Sequence, residues 1–390
     1  MNRYKQNAKW LTYYAPFKSL SISAAYLTPF FLQRGLSLSG VFLLQSIFSL
    51  AFLLWEIPSG YIADRFGRAL SIKLSAPIVG LAMIAYGFSS HYWQFVVLEL
   101  ILALAGGLIS GIDTALLIDS LRADGREAEF VKLSQRINAF GFGATALGVP
   151  IAVILVTYVS VGSTLVADGV LALIGSVFAF KLVEAPHFNS SQEALRLSAW
   201  HAMKKLGHSA EARWLVVLGS VLNAATYLAF WLSAPYYQSM GIPVVLFSVV
   251  LAVRSLWKAW LSHHFLQEKH LERNMLTYAS LAGLVYLAMA TRQLWLVWLV
   301  LGHDIVQALQ SQPITAKLNA HIQHEFRATM NSLVNLVQRL VYSLAGPLVG
   351  LLVDKAGLSV GFLLTGVVCS ATAFIALARL HKLNTFQQRR

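Results

Sequence analysis

The chain alternates long apolar runs with short polar turns. Apolar stretches fall near 10–33, 38–60, 70–90, 93–121, 131–158 and 163–183. After a polar segment they resume near 212–238, 243–266, 272–291, 293–318, 327–353 and 358–380. Each run approaches or exceeds the about 20 residues a helix needs to cross a bilayer. None shows the alternating segments of roughly 10 residues that mark a transmembrane barrel. The pattern predicts an all-α membrane protein of twelve transmembrane helices in two six-helix bundles, residues 1–183 and 212–390, joined by a cytoplasmic linker over 184–211.

The linker has a pattern of its own. Ser190 followed by Glu193 makes a capping box. Leu195, Ala199, Met203 and Leu206 then recur on one helical face, while Arg196, Lys204 and Lys205 lie off it. A short amphipathic helix on the membrane surface is the expectation. The two halves also echo each other: Glu129 precedes Pro150 across span five much as Glu325 precedes Pro347 across span eleven. Such internal repeats are common in secondary transporters.

Composition narrows the class. Charged residues are 12% of the chain, half the about 25% of a soluble domain, and mean hydropathy is +0.63. The net charge of +13 is a topology signal, because Lys and Arg collect on the cytoplasmic side of membrane proteins. With both termini cytoplasmic, only Arg34, Arg292 and Lys355 face outward, and Lys18, Arg136, Arg254, Lys258 and Arg339 lie within spans. No nucleic-acid partner is expected. The basic start, "MNRYKQNAKW", lacks a cleavage pattern, so it reads as leading into a retained span. One cysteine, Cys369, makes neither an internal disulfide nor a cysteine metal site. No metal-ligand spacing, phosphate-binding loop or nucleophile arrangement occurs, so neither cofactor nor enzymatic activity is expected.

The polar turn after span two is "GYIADRFGR", Gly60–Arg68. It resembles the signature loop of the major facilitator superfamily, Gly-x-Leu-Ala-Asp-Arg-x-Gly-Arg. Gly60, Ala63, Asp64, Arg65, Gly67 and Arg68 match, Ile62 replaces Leu, and Ala69 stands where a further basic residue is common. Gly60 should permit close helix packing. The resemblance implies that Asp64 meets the amide-rich N-terminus of span eleven near Arg327. Gly60, Asp64, Arg65, Gly67 and Arg68, with Asp119, would then form a conformational latch. "SGIDTALLIDSLRADGREAEF", Ser110–Phe130, with "WEIPSG" before the latch, looks like a subgroup of drug-efflux-type facilitators in the bacterial inner membrane, which implies outward transport. The family's antiporter motif is half present as "GVPIA", and its span-four arginine is missing. Glu99 stands in that span instead.

Ionisable side chains at bilayer depth cost about 3 kcal/mol and default to function. At about 1.5 Å per residue, Arg254, His303, Asp304 and Arg339 fall near one midplane level, and Lys258 lies one turn deeper than Arg254. With Lys18, and with Tyr227, Trp231, Gln307 and Gln338 as cavity walls, these residues are candidates for binding an anionic or zwitterionic substrate, possible targets including siderophore-like carboxylates. The alternative pairs Arg254, Asp304 and Arg339 as structural bridges. Asp113 and His303 lead as proton carriers, followed by Glu56 and Glu99. On a continuous span four, Glu99 and Asp113 would share a face about 21 Å apart. Asp168 reads as interfacial.

The functional expectation is a monomeric, proton-coupled exporter of a small organic molecule working by alternating access in the lipid bilayer. The alternatives are a multidrug pump for lipophilic compounds, an importer of an organic anion, and, in a different class, a lipid flippase or a non-transporting sensor.

Overall fold

The computed structural model describes residues 3–186, 209–265, 275–320 and 327–383. The expected linker helix at Ser190–Leu206 lies outside the described residues. The described chain is helical, and it falls into two compact units. Unit 1 comprises Met1–Leu36, Ile47–Asn189 and Val244–Val249, and unit 2 comprises Ser37–Ser46, Ser190–Pro243 and Val250–Arg390.

Unit 1 is built from α1 (Asn7–Ser19), α2 (Leu27–Gln33), most of α3 (Leu38–Phe66), α4 (Arg68–Phe88), α5 (Tyr92–Ile109), α6 (Ile112–Ala123), α7 (Phe130–Tyr158) and α8 (Gly162–Ala179). Helices α4 and α8 cross at backbone distance, which small residues allow where no water drives association. A Cβ on Gly80 would sit 2.9 Å from the Gly169 carbonyl, and one on Gly169 would sit 2.6 Å from the Gly80 carbonyl. At one end of the unit Phe30, Phe31, Tyr86 and Phe95 form a buried aromatic cluster with ring centroids 5.2–6.3 Å apart. At the other, Leu11 and Tyr14 of α1 pack with Ile72 of α4, Leu116 of α6 and Leu182.

Unit 2 is built from the first turns of α3, then α9 (Ala210–Ser239), α10 (Phe247–Phe265), α11 (Met275–Ala290), α12 (Leu301–Leu309), α13 (Ser311–Ala320), α14 (Arg327–Ala356) and α15 (Leu358–Lys382). The α11–α15 crossing repeats the glycine device, with Gly283 and Gly366 each offering its carbonyl 3.1 Å from a Cβ built on the other. Tyr286 of α11 is fully buried and donates to the Ala225 carbonyl of α9 at 2.6 Å.

Nine described helical segments are long and apolar enough to cross a membrane. The expected first, ninth and tenth spans are not among them. The first is cut between α1 and α2, and the ninth is the 16-residue α11. The tenth opens as a 3-10 turn over Leu294–Val300 and is cut again between α12 and α13. Span four breaks as well, at Ser110–Gly111, where Gly111 takes φ +71°. That break interrupts the continuous register that would have set Glu99 and Asp113 on a common face.

Candidate functional site

A buried charge cluster in unit 2 joins α10 to α12. Arg254 is 7% exposed and Asp304 1%. Their side chains meet fork to fork: Nε of Arg254 donates to Oδ2 at 2.8 Å and Nη2 to Oδ1 at 3.0 Å. Nη1 reaches Ser233 Oγ at 3.1 Å and Tyr237 OH at 3.4 Å, both on α9. One turn along α10, Lys258 Nζ donates to Gln307 Oε1 at 3.0 Å and stands 4.0 Å from Asp304 Oδ1. Arg254, Lys258, Asp304 and Gln307, drawn from separate stretches of sequence, therefore belong to one network. The planar guanidinium suits such bidentate pairing. Asp304 fills that face of the fork, the pairing that the sequence reading set as its alternative to a substrate contact. The positive charge left over belongs to Lys258.

The other candidates of this half lie around the network. His303, 1% exposed, packs against the Tyr286 ring at 4.6 Å, and its Nε2 faces the Ala282 carbonyl at 3.3 Å. Trp231 is buried on α9, and the exposed Tyr227 lies 5.7 Å from the Tyr342 ring. Gln338, on α14, lines a cavity with Asn223 and Gln310. Arg339 is half-buried on the same helix. Ser233 and Tyr237 escaped the sequence reading, although their i, i+4 spacing sets them on one face of α9.

In unit 1 the structure joins Lys18 to Asp113 in an ion pair of 2.5 Å, with side chains 37% and 23% exposed. Asp113 stands in the first turn of α6, directly after the Gly111 break, so its carboxylate also meets the positive end of a half-helix. Glu99 is buried and accepts from Tyr86 OH at 2.9 Å. Glu56 is exposed on α3.

The signature turn is partly assembled. Arg68 Nη1 pairs with Asp119 at 2.5 Å, and Arg65 donates to Tyr61 OH at 2.6 Å. A residue outside the motif completes it: Glu184 accepts the backbone N–H of Arg68 at 3.0 Å and of Ala69 at 2.8 Å, holding the N-terminus of α4. Gly67 takes φ +110°, and a Cβ there would sit 2.5 Å from Glu184 Oε2. A Cβ on Gly60 would meet nothing within 4 Å among the described residues. Asp64 is exposed. The partner expected for it, at the start of span eleven, involves side chains outside the described residues.

Carboxylates gripping two successive amides recur. Asp168 is buried rather than interfacial, and accepts from the N–H of Ile22 at 2.7 Å and of Ser23 at 2.9 Å, inside the break of span one. Asp354 of α14 likewise accepts from Leu38 at 3.0 Å and Ser39 at 2.8 Å at the start of α3. On the polar turn after α6, Lys5 and Arg126 hold the Asp124 carboxyl below its ordinary range, and Arg126 also pairs with Glu129 at 2.7 Å.

Residues 17–265 match the family model of the Major Facilitator Superfamily. The chain belongs to that superfamily. Major facilitators are transporters rather than enzymes, and this is an integral multi-pass membrane protein. Solved transporters share the fold. Against the nucleoside transporter NupG the TM-score is 0.77 at 15% identity, covering 97% of this chain and 99% of that one. Against a bacterial homolog of the human lysosomal transporter Spinster, inward-facing and unoccupied, it is 0.72 at 16% identity, covering 100% and 99%. Among curated proteins, the multidrug resistance protein MdtG of Escherichia coli (strain K12 / DH10B) is 39% identical over 66 residues, 16% of each chain. The match thus spans about one sixth of the length of those relatives.

Proposed function

We propose that this major facilitator is a twelve-span, proton-coupled exporter of a small anionic or zwitterionic organic molecule, working as a monomer by alternating access in a bacterial inner membrane with both termini cytoplasmic. The observation that carries the reading is the charge balance of the unit 2 network. Two cations, Arg254 and Lys258, face one carboxylate, Asp304, and the bidentate pair leaves Lys258 as the surplus. A half-buried surplus of positive charge favours an anionic group. Lys258 binds that group in this reading, Arg254 and Asp304 hold Lys258 in place, and Asp113 carries the proton. The likeness of a short stretch to a multidrug resistance protein supports outward traffic. A pump for lipophilic cations would place acid rather than base at this depth.

A thermal-shift screen of the purified protein tests the reading, since a ligand of the folded state raises its unfolding midpoint. Carboxylates such as citrate and propionate should stabilise the parent and fail to stabilise Lys258→Gln. Stabilisation by tetraphenylphosphonium, with none by carboxylates, overturns it.

One observation favours a second reading, uptake together with protons. An anion that takes Lys18 within unit 1 removes the partner of Asp113 and so favours protonation of that carboxylate. Anion and proton then assist each other's binding, the linkage that symport uses. Proteoliposomes separate the two: on adding substrate outside, antiport acidifies the external medium and symport alkalinises it.

A further inference from the structure

Unit 2 holds a cavity of about 240 Å³ between α9, the α12–α13 junction and α14. Its polar wall is Asn223 from α9, Gln310, Ser311 and Thr315 from the junction, and Asn331, Asn335 and Gln338 from α14. The last three are spaced i, i+4, i+7, which sets them on one helical face. Five of these seven side chains are carboxamides, and among the described residues no ionisable side chain lines the cavity. Gln310 occupies the break between α12 and α13, is 4% exposed, and its Oε1 is buried without a hydrogen-bond partner among the described residues. A buried acceptor left unmade is costly, so the wall calls for a donor from whatever occupies the cavity.

The chemistry of the lining is selective. A carboxamide offers donors and an acceptor together. An ion would find no counter-charge here, and a greasy body would leave five amides unsatisfied. The volume also falls below the ~300–1,000 Å³ of pockets that enclose drug-sized ligands. A compact, hydroxyl-rich group fits all three constraints. The cavity adjoins the charged network along α12: Gln307, which holds Lys258, and Gln310, which lines the cavity, are one turn apart on the same face.

We propose that the transported molecule is a small polyhydroxylated carboxylate, of the sugar-acid class, whose carboxylate meets Lys258 and whose hydroxyls are held by the carboxamide cavity around Gln310. The proposal rests on the reading of Lys258 as the anion site and adds to it the uncharged half of the ligand.

Three probes separate the two halves: gluconate carries both groups, propionate only the carboxylate, and glucose only the hydroxyls. In titrations of the purified full chain read by thermal shift, gluconate should bind more tightly than propionate. Gln310→Leu and Asn335→Leu should each weaken gluconate about two- to tenfold, the range of one lost hydrogen bond, and leave propionate unchanged. Gln310→Leu removes an unsatisfied acceptor at near-constant volume, and Asn335 is exposed, so neither should lower the unliganded midpoint. Lys258→Gln should weaken gluconate and propionate and spare glucose. Equal binding of gluconate and propionate, both indifferent to the Gln310 and Asn335 variants, overturns the cavity while leaving the anion site standing. Binding of glucose, lost in Gln310→Leu, with none of either acid, keeps the cavity and overturns the sugar-acid class together with the anion site. Binding of none overturns both.

Discussion

Replacing Arg254 by Met tests whether the α10–α12 pair is structural. The change removes a cation from a site 7% exposed, strips Ser233 and Tyr237 of their guanidinium partner, and leaves Asp304, at 1% exposure, with Lys258 4.0 Å from Oδ1. Removing one partner of a buried pair costs about 3–5 kcal/mol, whereas replacing both by apolar groups of similar volume is often neutral or stabilising. Lys258 should draw closer to Asp304 and recover part of the loss, which places the single variant toward the lower end of that range. Asp304→Leu alone buries an unpaired guanidinium and should cost as much or more. The double variant Arg254→Met with Asp304→Leu should then be more stable than either single one. The assay is intrinsic tryptophan fluorescence during thermal unfolding in detergent, with size-exclusion chromatography to confirm a monodisperse start. The double variant sets the sign of the coupling. Singles as stable as the parent, or a double variant at the sum of the single losses, would refute the pair as a mutually dependent buried bridge. A large loss in Arg254→Met also means that reduced ligand binding in that variant says nothing about substrate contact, and for this reason the binding tests use Lys258.

Gly67→Ala should lower the unfolding midpoint, because φ +110° is nearly glycine-only and the new Cβ would displace Glu184 from the start of α4. The strain costs about 1–3 kcal/mol, while Gly60→Ala, facing open space, should stay within about 0.5 kcal/mol of the parent. Equal midpoints for the two would remove Glu184 from the turn. Asp168→Asn keeps one acceptor oxygen where two amides need one each, at a cost of about 1–3 kcal/mol. Faster hydrogen exchange at Ile22 and Ser23 is the signature, and unchanged protection there would show that the break holds without the clamp. On the polar turn, Asp124 has a lowered folded pKa, so its pairing with Lys5 stabilises above the ordinary Asp value near 4 and fades as pH falls through the lowered one. A midpoint difference between parent and Lys5→Gln should therefore appear at pH 7 and vanish in stronger acid. A difference that persists there would refute the pairing.

Nine of the twelve expected spans were legible among the described residues, because a helix in hydrocarbon needs a long apolar run that leaves a plain record. The pairing of Arg254 with Asp304 was legible as one of two readings, since charges at one depth must find each other. The pairing of Arg68 with Asp119 followed from a motif. The breaks at residues 20–26, 110–111 and 310 did not announce themselves. Gly111 reads like any small residue in a span, and Leu20–Tyr26 carry no charge, proline or glycine through the cut. Asp168, Glu184 and Asp354 were misread or passed over for a related reason: each binds backbone amides, which every residue has, at a sequence distance of more than a hundred positions. The carboxamide cavity was equally hidden, because Asn and Gln at helical spacing carry no charge to flag their depth. Only Gln338 was anticipated.

The clamp on span one sets a timetable for biogenesis. The amide of Ile22 finds its acceptor 146 residues later in the chain. Synthesis runs at about 5–20 residues per second, so roughly 7–30 s separate the emergence of the two groups. During that interval the nascent first span carries an open stretch of backbone that hydrocarbon cannot satisfy. The amino-terminal segment must therefore linger in the insertion machinery, or beside water, until α8 is made, and ribosome stalling just before residue 168 should leave it extractable from the membrane.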